Sequence, residues 1–355
     1  MASTLTKIDL TAGRISRLDQ SYAQAAQRTF DFKTKPRGSL GRLEDLACQV
    51  AAIRRQPKPA PEPAAVVVVA GDHGIAAEGV SAYPQEVTAQ MLANFAAGGA
   101  AICVLARAVD ARLVVVDAGV SEAFRHDAVL DRRLGAGTAN SSRGPAMARE
   151  TACRAVEAGI DLAEQLAADG IGLMALGDMG IANTATSSAI TAAFLGCDPA
   201  EVIGRGTGVD DQALTLKVAA VRRALEVNAP DPSDPIGVLA SVGGFEHGVL
   251  AGLALGAAAT GVPVVLDGFV VGAAALLAAR IAPEARAAMI ASHLSPEPGH
   301  ARLLNDLGLA PLLDLRMRLG EGSGAALGVQ LVNTALLLLR DMATFEDARV
   351  TDAGA

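Results

Sequence analysis

The chain has 355 residues, half of them apolar, with 30 basic side chains against 38 acidic ones and a net charge of −8. That balance argues against nucleic acid or an anionic membrane surface as the main partner. Eight Phe, two Tyr and no Trp also leave no aromatic platform for stacking single-stranded nucleic acid. The length exceeds one average domain, and the four cysteines (Cys48, Cys103, Cys153, Cys197) are too scattered for a disulfide framework or a zinc site.

Residues 4–28 place Leu5, Ile8, Ile15 and Leu18 at helical spacing, and residues 1–9 lack the apolar core of a signal peptide. A second helix is expected from Ser39, whose hydroxyl is suited to cap it, through Leu43, Leu46 and Val50. Prolines at alternate positions across residues 57–63 read as a stiff linker.

From residue 64 the pattern becomes short β-branched runs alternating with Ala- and Gly-rich helical stretches. The runs at 66–69, 113–116, 171–176 and 264–266 are continuous rather than alternating, as expected for strands of a parallel sheet covered on both faces. Each is followed by, or ends in, an Asp within two residues of a Gly: Asp72, Asp117, Asp178 and Asp267. Ligands bind at that carboxyl edge of such a sheet. Residues 248–266 have membrane length, but Gly261-Val262-Pro263 splits them into a small-residue helix and a strand, so a buried core is expected and no membrane span.

Four segments carry candidate chemistry. Gly71-Asp72-His73-Gly74 reads as an active-site loop in which His73 bonds locally; the five histidines show no metal-ligand spacing, and no metal is expected. Gly177-Asp178-Met179-Gly180 leads into a helix that Asn183 and Thr184 are placed to cap, a suitable start for holding an anion. Gly204, Gly206 and Gly208 alternate as in an anion-binding nest, with Lys217 as an added charge or a surface lysine; neither Walker nor dinucleotide spacing is present. In Leu319-Gly320-Glu321-Gly322, ahead of a long apolar helix from about Ala325, an unshielded carboxylate between glycines is positioned to accept a proton from a flat, weakly acidic ligand. The segment 292–300, with Ser295 and two histidines, reads on its own as a surface turn.

In order along the chain, the segments 35–44, 71–74 with 83–90, 177–184, 204–208, 241–246 and 319–324 resemble the nicotinate-nucleotide–dimethylbenzimidazole phosphoribosyltransferase family, and the likeness runs from about residue 30 to residue 348. The resemblance implies an α/β fold: a Rossmann-like parallel-sheet domain with helices on both faces (64–300), plus a smaller helical domain from both chain ends (1–63 with 301–355). It implies a homodimer without cofactor or metal, and the scattered cysteines with no signal peptide make a cytoplasmic protein the expectation. The implied reaction moves 5-phosphoribosyl from nicotinate mononucleotide to 5,6-dimethylbenzimidazole, giving α-ribazole 5′-phosphate for the cobalamin nucleotide loop. Carried over residue by residue, Glu321 matches the general base, and Ser81, Gln90 and Leu319 match the benzimidazole pocket. Gly177, Asp178, Met179, Gly180, Gly204, Gly206, Gly208, Lys217, Ser295 and Gly320 match the segments that hold the nucleotide and its phosphate. This chain departs from the family pattern at Asp178, where Glu is common, and at His247, where Ile is common. Open alternatives are the same chemistry with another acceptor base, a nucleotide-binding sensor, and an α/β metal hydrolase.

Overall fold

The computed structural model describes residues 5–206, 208 and 210–351. Thr207 and Val209 of the glycine loop and the N-terminal residues 1–4 lie outside the described residues.

Six parallel strands form one sheet in the order β3-β2-β1-β4-β5-β6, with β1 Ala64–Gly71, β2 Ala111–Gly119, β3 Val129–Asp131, β4 Leu173–Met179, β5 Val264–Leu266 and β6 Met289–Ala291. Chain direction across the sheet reverses between β1 and β4, the switch point of a Rossmann-like order. Side chains alternate between the faces. Val67, Val69, Val116, Met174, Leu176, Val264 and Leu266 join the core beneath helices Arg149–Ala168, Asn183–Leu195, Phe245–Thr260 and Phe269–Ile281. Val66, Val68, Val115, Leu173, Ala175 and Val265 face the other way, toward helices Gln20–Asp31, Arg42–Arg54, Ala101–Ala108 and Ser323–Asp341. The continuous apolar runs are therefore explained by burial on both sides.

The N-terminal stretch departs from expectation. It is two helices, Lys7–Arg14 and Gln20–Asp31, because Asp19 accepts the Ser21 N–H and starts a new helix. The next helix begins at Arg42 behind Gly41, and Ser39 sits in a preceding turn instead of capping it. The segment 35–44 is folded by a buried ion pair, Lys35 Nζ to Glu44 Oε1 at 2.7 Å, while Glu44 also accepts the Leu40 N–H. Lys35 and Glu44 are thus structural. The three-residue strands β3 and β6 escaped the sequence reading, whereas the equally short β5 was read from its Val-Val-Leu run ahead of Asp267.

Two stretches, Val87–Ala108 and Ser323–Asp341, have the length and composition to cross a membrane. The first is two helices, Val87–Ala96 and Ala101–Ala108, and the second buries Ala325, Val329, Val332, Leu336 and Leu339 in the core.

Candidate active site

A cleft opens over the carboxyl ends of β4, β5 and β6, beside the switch point. Its walls are the end of β4 and the turn and helix start that follow it (Asp178–Thr184), the start of helix Phe269–Ile281, the segment 293–297, Gly206 and the loop Arg318–Gly320. A roomier cleft beside Arg14, Arg54 and Arg55 lies at the opposite edge of the sheet, and Arg14 and Arg54 are paired there with Glu164 and Glu62.

Glu321 stands next to the first cleft in a left-handed backbone conformation, φ 62°, between Gly320 and Gly322, which are also at positive φ. For a residue with a β-carbon this conformation is uncommon and costs free energy unless neighbours hold it. The neighbours here are identifiable. The Glu321 N–H donates to the Asp178 carbonyl at 3.1 Å. Asp267, at the end of β5, accepts N–H bonds from Gly322 (3.0 Å), Gly324 (2.7 Å) and Ala325 (3.2 Å). A side chain from another strand thus caps the helix Ser323–Asp341 and fixes the loop ahead of it. Gly177, inside β4, lies so close to Glu321 and Gly322 that a Cβ there would overlap their backbone.

The Glu321 carboxylate is neither unshielded nor isolated, contrary to the sequence expectation: it is 6% exposed, and one oxygen accepts the Ile102 N–H at 3.4 Å, at the start of helix Ala101–Ala108. Burial raises its pKa, the Ile102 bond opposes this, and the charge of Asp267 adds to the rise. Asp178 is raised well above the usual carboxylate range by burial and then by Asp267, Glu246 and Glu321. Burial pushes Asp267 up to about 7 against the pull of its backbone donors. The charge of Asp267 raises both Asp178 and Glu321, because like charges at short range disfavour joint ionisation.

Gly177, Asp178 and Met179 belong to β4 itself, and only Gly180 lies in the turn. Asn183 and Thr184 do not cap the following helix, whose cap position is Ala182 at positive φ. The Asn183 amide donates to Asp178 Oδ2 at 2.7 Å, and the Thr184 hydroxyl accepts from Lys217 Nζ at 2.8 Å. Lys217 is no surface lysine: it is 1% exposed, it also donates to the Gly204 carbonyl, and burial lowers it to about 8 while Glu297 opposes the fall. The glycine loop differs from an empty nest. The Gly206 N–H donates to Glu297 Oε1 at 2.8 Å, and the Gly208 N–H donates to the Arg205 carbonyl at 2.9 Å.

The segment 292–300 is buried at the cleft rather than a surface turn. Ser295, His293 and Glu297 line the cleft, and the Ser295 N–H donates to His300 Nδ1. Burial, and then His293, lower His300 to about 3. Leu319 lines the cleft and is 56% exposed. Ser81 and Gln90 are outside its lining, on the loop and helix after β1, where Ser81 accepts the Tyr83 N–H.

His73 bonds outside its own loop. Its Nδ1 is 3.0 Å from Thr186 Oγ1, and its Nε2 is 3.0 Å from Glu246 Oε1. The same carboxylate lies 2.6 Å from His247 Nδ1. Burial alone would raise Glu246, but the two imidazoles hold it below the carboxylate range. Asp72 accepts from Thr88 and Ser121 and ties the loop down. Among the described residues, no group of three or more His, Cys, Asp or Glu is arranged to hold a metal. The sequence reading missed Asp267, Glu297, Asn183 and Arg318 as site residues. The only signal for Asp267 was its place at a strand end beside Gly268.

A Rossmann-like sheet with a glycine-bordered cleft at its carboxyl edge defines a class of α/β proteins that bind small ligands at strand ends. Within that class the chain belongs to the phosphoribosyltransferase family, whose model matches residues 15–350. It is 54% identical over 344 residues to the nicotinate-nucleotide–dimethylbenzimidazole phosphoribosyltransferase of Desulforudis audaxviator, covering 97% of this chain and 98% of that one. A relative of the same name from Roseiflexus castenholzii is 53% identical, covering 96% of this chain and 97% of its own length. The crystal structure of CobT from Thermus thermophilus superposes with a TM-score of 0.90 at 48% identity, covering 94% of this chain and all of that one.

Proposed function

We propose that the chain transfers 5-phosphoribosyl from nicotinate mononucleotide to 5,6-dimethylbenzimidazole, giving α-ribazole 5′-phosphate and nicotinate for the cobalamin nucleotide loop. The observation that carries the reading is one acid, Glu321, held in a left-handed loop beside the cleft, with burial raising its pKa. The chemistry needs one base. Nicotinate leaves as a neutral-nitrogen ring from a pyridinium and takes no proton, whereas the acceptor imidazole loses its N–H proton as its other nitrogen bonds to carbon. A carboxylate with a raised pKa is a stronger acceptor for that proton. The β-nucleotide becomes an α-product when the acceptor attacks the face opposite the departing ring. Remaining rate enhancement comes from positioning.

In this reading Leu319 borders the flat acceptor, and Ser81 and Gln90 approach it from the β1 side. Asp178, Met179, Gly177, Gly180, Gly204, Gly206, Gly208, Ser295, Gly320 and Lys217 surround the nucleotide. Lys217 supplies the charge for its phosphate, and the uncapped start of helix Phe269–Ile281 adds N–H groups facing the same cleft. No cofactor enters the scheme. The terminal helices Gln20–Asp31, Arg42–Arg54 and Ser323–Asp341, which pack on one another, support a smaller helical unit from residues 1–63 with 301–355 beside the 64–300 unit. A cytoplasmic homodimer accords with four unpaired cysteines and with exposed apolar side chains such as Phe32, Val104 and Leu337.

Purified protein incubated with nicotinate mononucleotide and a panel of benzimidazoles and purines, with and without chelator, tests the reading. Chromatography is expected to show an α-ribotide and free nicotinate in both conditions. Binding without transfer would favour a sensor, and transfer lost on chelation would favour a metal enzyme.

A further inference from the structure

Glu297 occupies the cap position of helix Pro298–Leu307, yet its side chain makes no capping bond there. It turns into the cleft instead, where it is 8% exposed. Oε1 is anchored by the Gly206 N–H at 2.8 Å. Oε2 is buried and has no hydrogen-bond partner among the described residues. Gly204 leaves room for it, since a Cβ at that position would overlap the carboxylate. A buried carboxylate oxygen without a donor is unfavourable, and at the wall of a cleft a donor on a bound ligand would complete it as an ordered water otherwise does.

The donors on the substrates narrow the choice. At neutral pH the phosphate and the nicotinate carboxylate offer acceptors and would be repelled by another carboxylate. The acceptor base has one N–H, and Glu321 takes it. What remains are the two ribose hydroxyls, each an O–H donor. We propose that Glu297 reads the ribose hydroxyls through Oε2 and sets discrimination between ribosyl and deoxyribosyl donors. This rests on the nucleotide reading of the cleft and assigns Glu297 a specificity role in it. The Gly206 bond holds the carboxylate in place, so the glycine loop orients a sugar-binding acid as well as lying near the phosphate.

The test is titration calorimetry of nicotinate mononucleotide and its 2′-deoxy and 3′-deoxy forms against the wild type, Glu297→Gln and Glu297→Ala, with melting temperatures to verify folding. The wild type is expected to bind at least one deoxy form ~10–100-fold more weakly, the scale of a hydrogen bond to a charged group. In Glu297→Ala the ribonucleotide should fall to the level of that deoxy form, and the deoxy form should hardly move. Equal wild-type binding of all three nucleotides would overturn the proposal. So would a variant that retains the discrimination, or one that weakens every nucleotide by the same factor, as a loosened glycine loop would. Measured beside this, a wild type that binds nucleotide but forms no ribotide would reject the transferase function while the binding ratios still decide the role of Glu297.

Discussion

Lys217 is held inside the protein by a hydroxyl and a carbonyl, and burial brings its pKa down to about 8. Below that pH the ammonium is present, and above it the free protein increasingly loses the charge that would meet a phosphate. The affinity for nicotinate mononucleotide is therefore expected to fall as pH rises through about 8, and Lys217→Arg should remove that fall because Arg stays charged. Lys217→Ala should raise the Michaelis constant for the nucleotide by roughly 10-fold or more and leave that for the base almost unchanged. Steady-state kinetics with each substrate varied in turn checks this. A rise confined to the base would place Lys217 on the wrong side of the cleft. Sequence alone left Lys217 between a phosphate contact and a surface lysine, because burial at a helix position depends on what packs over it. Here the covering groups are Thr184 and Gly204, 33 and 13 positions away.

At the scale of elements, the loop carrying Glu321 is set by a strand end and a helix start. Asp267 accepts three N–H groups, one through Oδ2 and two through Oδ1. Asp267→Asn turns one acceptor into a donor facing an N–H, which should cost about 1–3 kcal/mol of stability. The pH dependence has a definite sign. Asp267 has a folded pKa of about 7 against an ordinary 3.8, so its contribution is fully present below 3.8 and is lost as pH rises through about 7. The melting-temperature deficit of Asp267→Asn relative to wild type should therefore shrink from pH 5 to pH 8. Calorimetric melts across that range decide it. A deficit that widens with pH would mean that Asp267 acts as a fully ionised cap. Four of the six strands, and the acids at their ends, were legible in the sequence because a doubly covered parallel sheet writes continuous apolar runs, although the role of Asp267 was not. Capping roles were not legible at Ser39, Asn183 or Thr184, since a cap depends on where the first helical turn falls, and Gly41 and Ala182 took those positions with positive φ. The environment of Glu321 was likewise hidden, because Asp178 and Asp267 reach it from two different strands.

For the whole molecule, two mixed layers of helices enclose one parallel sheet and leave Asp178 of β4, the residues after β5 and the segment after β6 facing one cleft. The sheet supplies rigidity, and the loops at its carboxyl edge supply chemistry. What would distinguish this arrangement from a nucleotide-binding protein with a passive pocket is the base proposed at Glu321. Glu321→Gln keeps size and shape while removing proton-accepting capacity. Measured with saturating nicotinate mononucleotide and dimethylbenzimidazole, its turnover should fall ~10²–10⁴-fold. The variant's melting temperature and its affinity for dimethylbenzimidazole should stay near those of the wild type. The wild-type acid limb should lie above the ordinary carboxylate value of 4.5, in the direction that burial moves Glu321. A folded Glu321→Gln protein that turns over at close to the wild-type rate would contradict this assignment of the base.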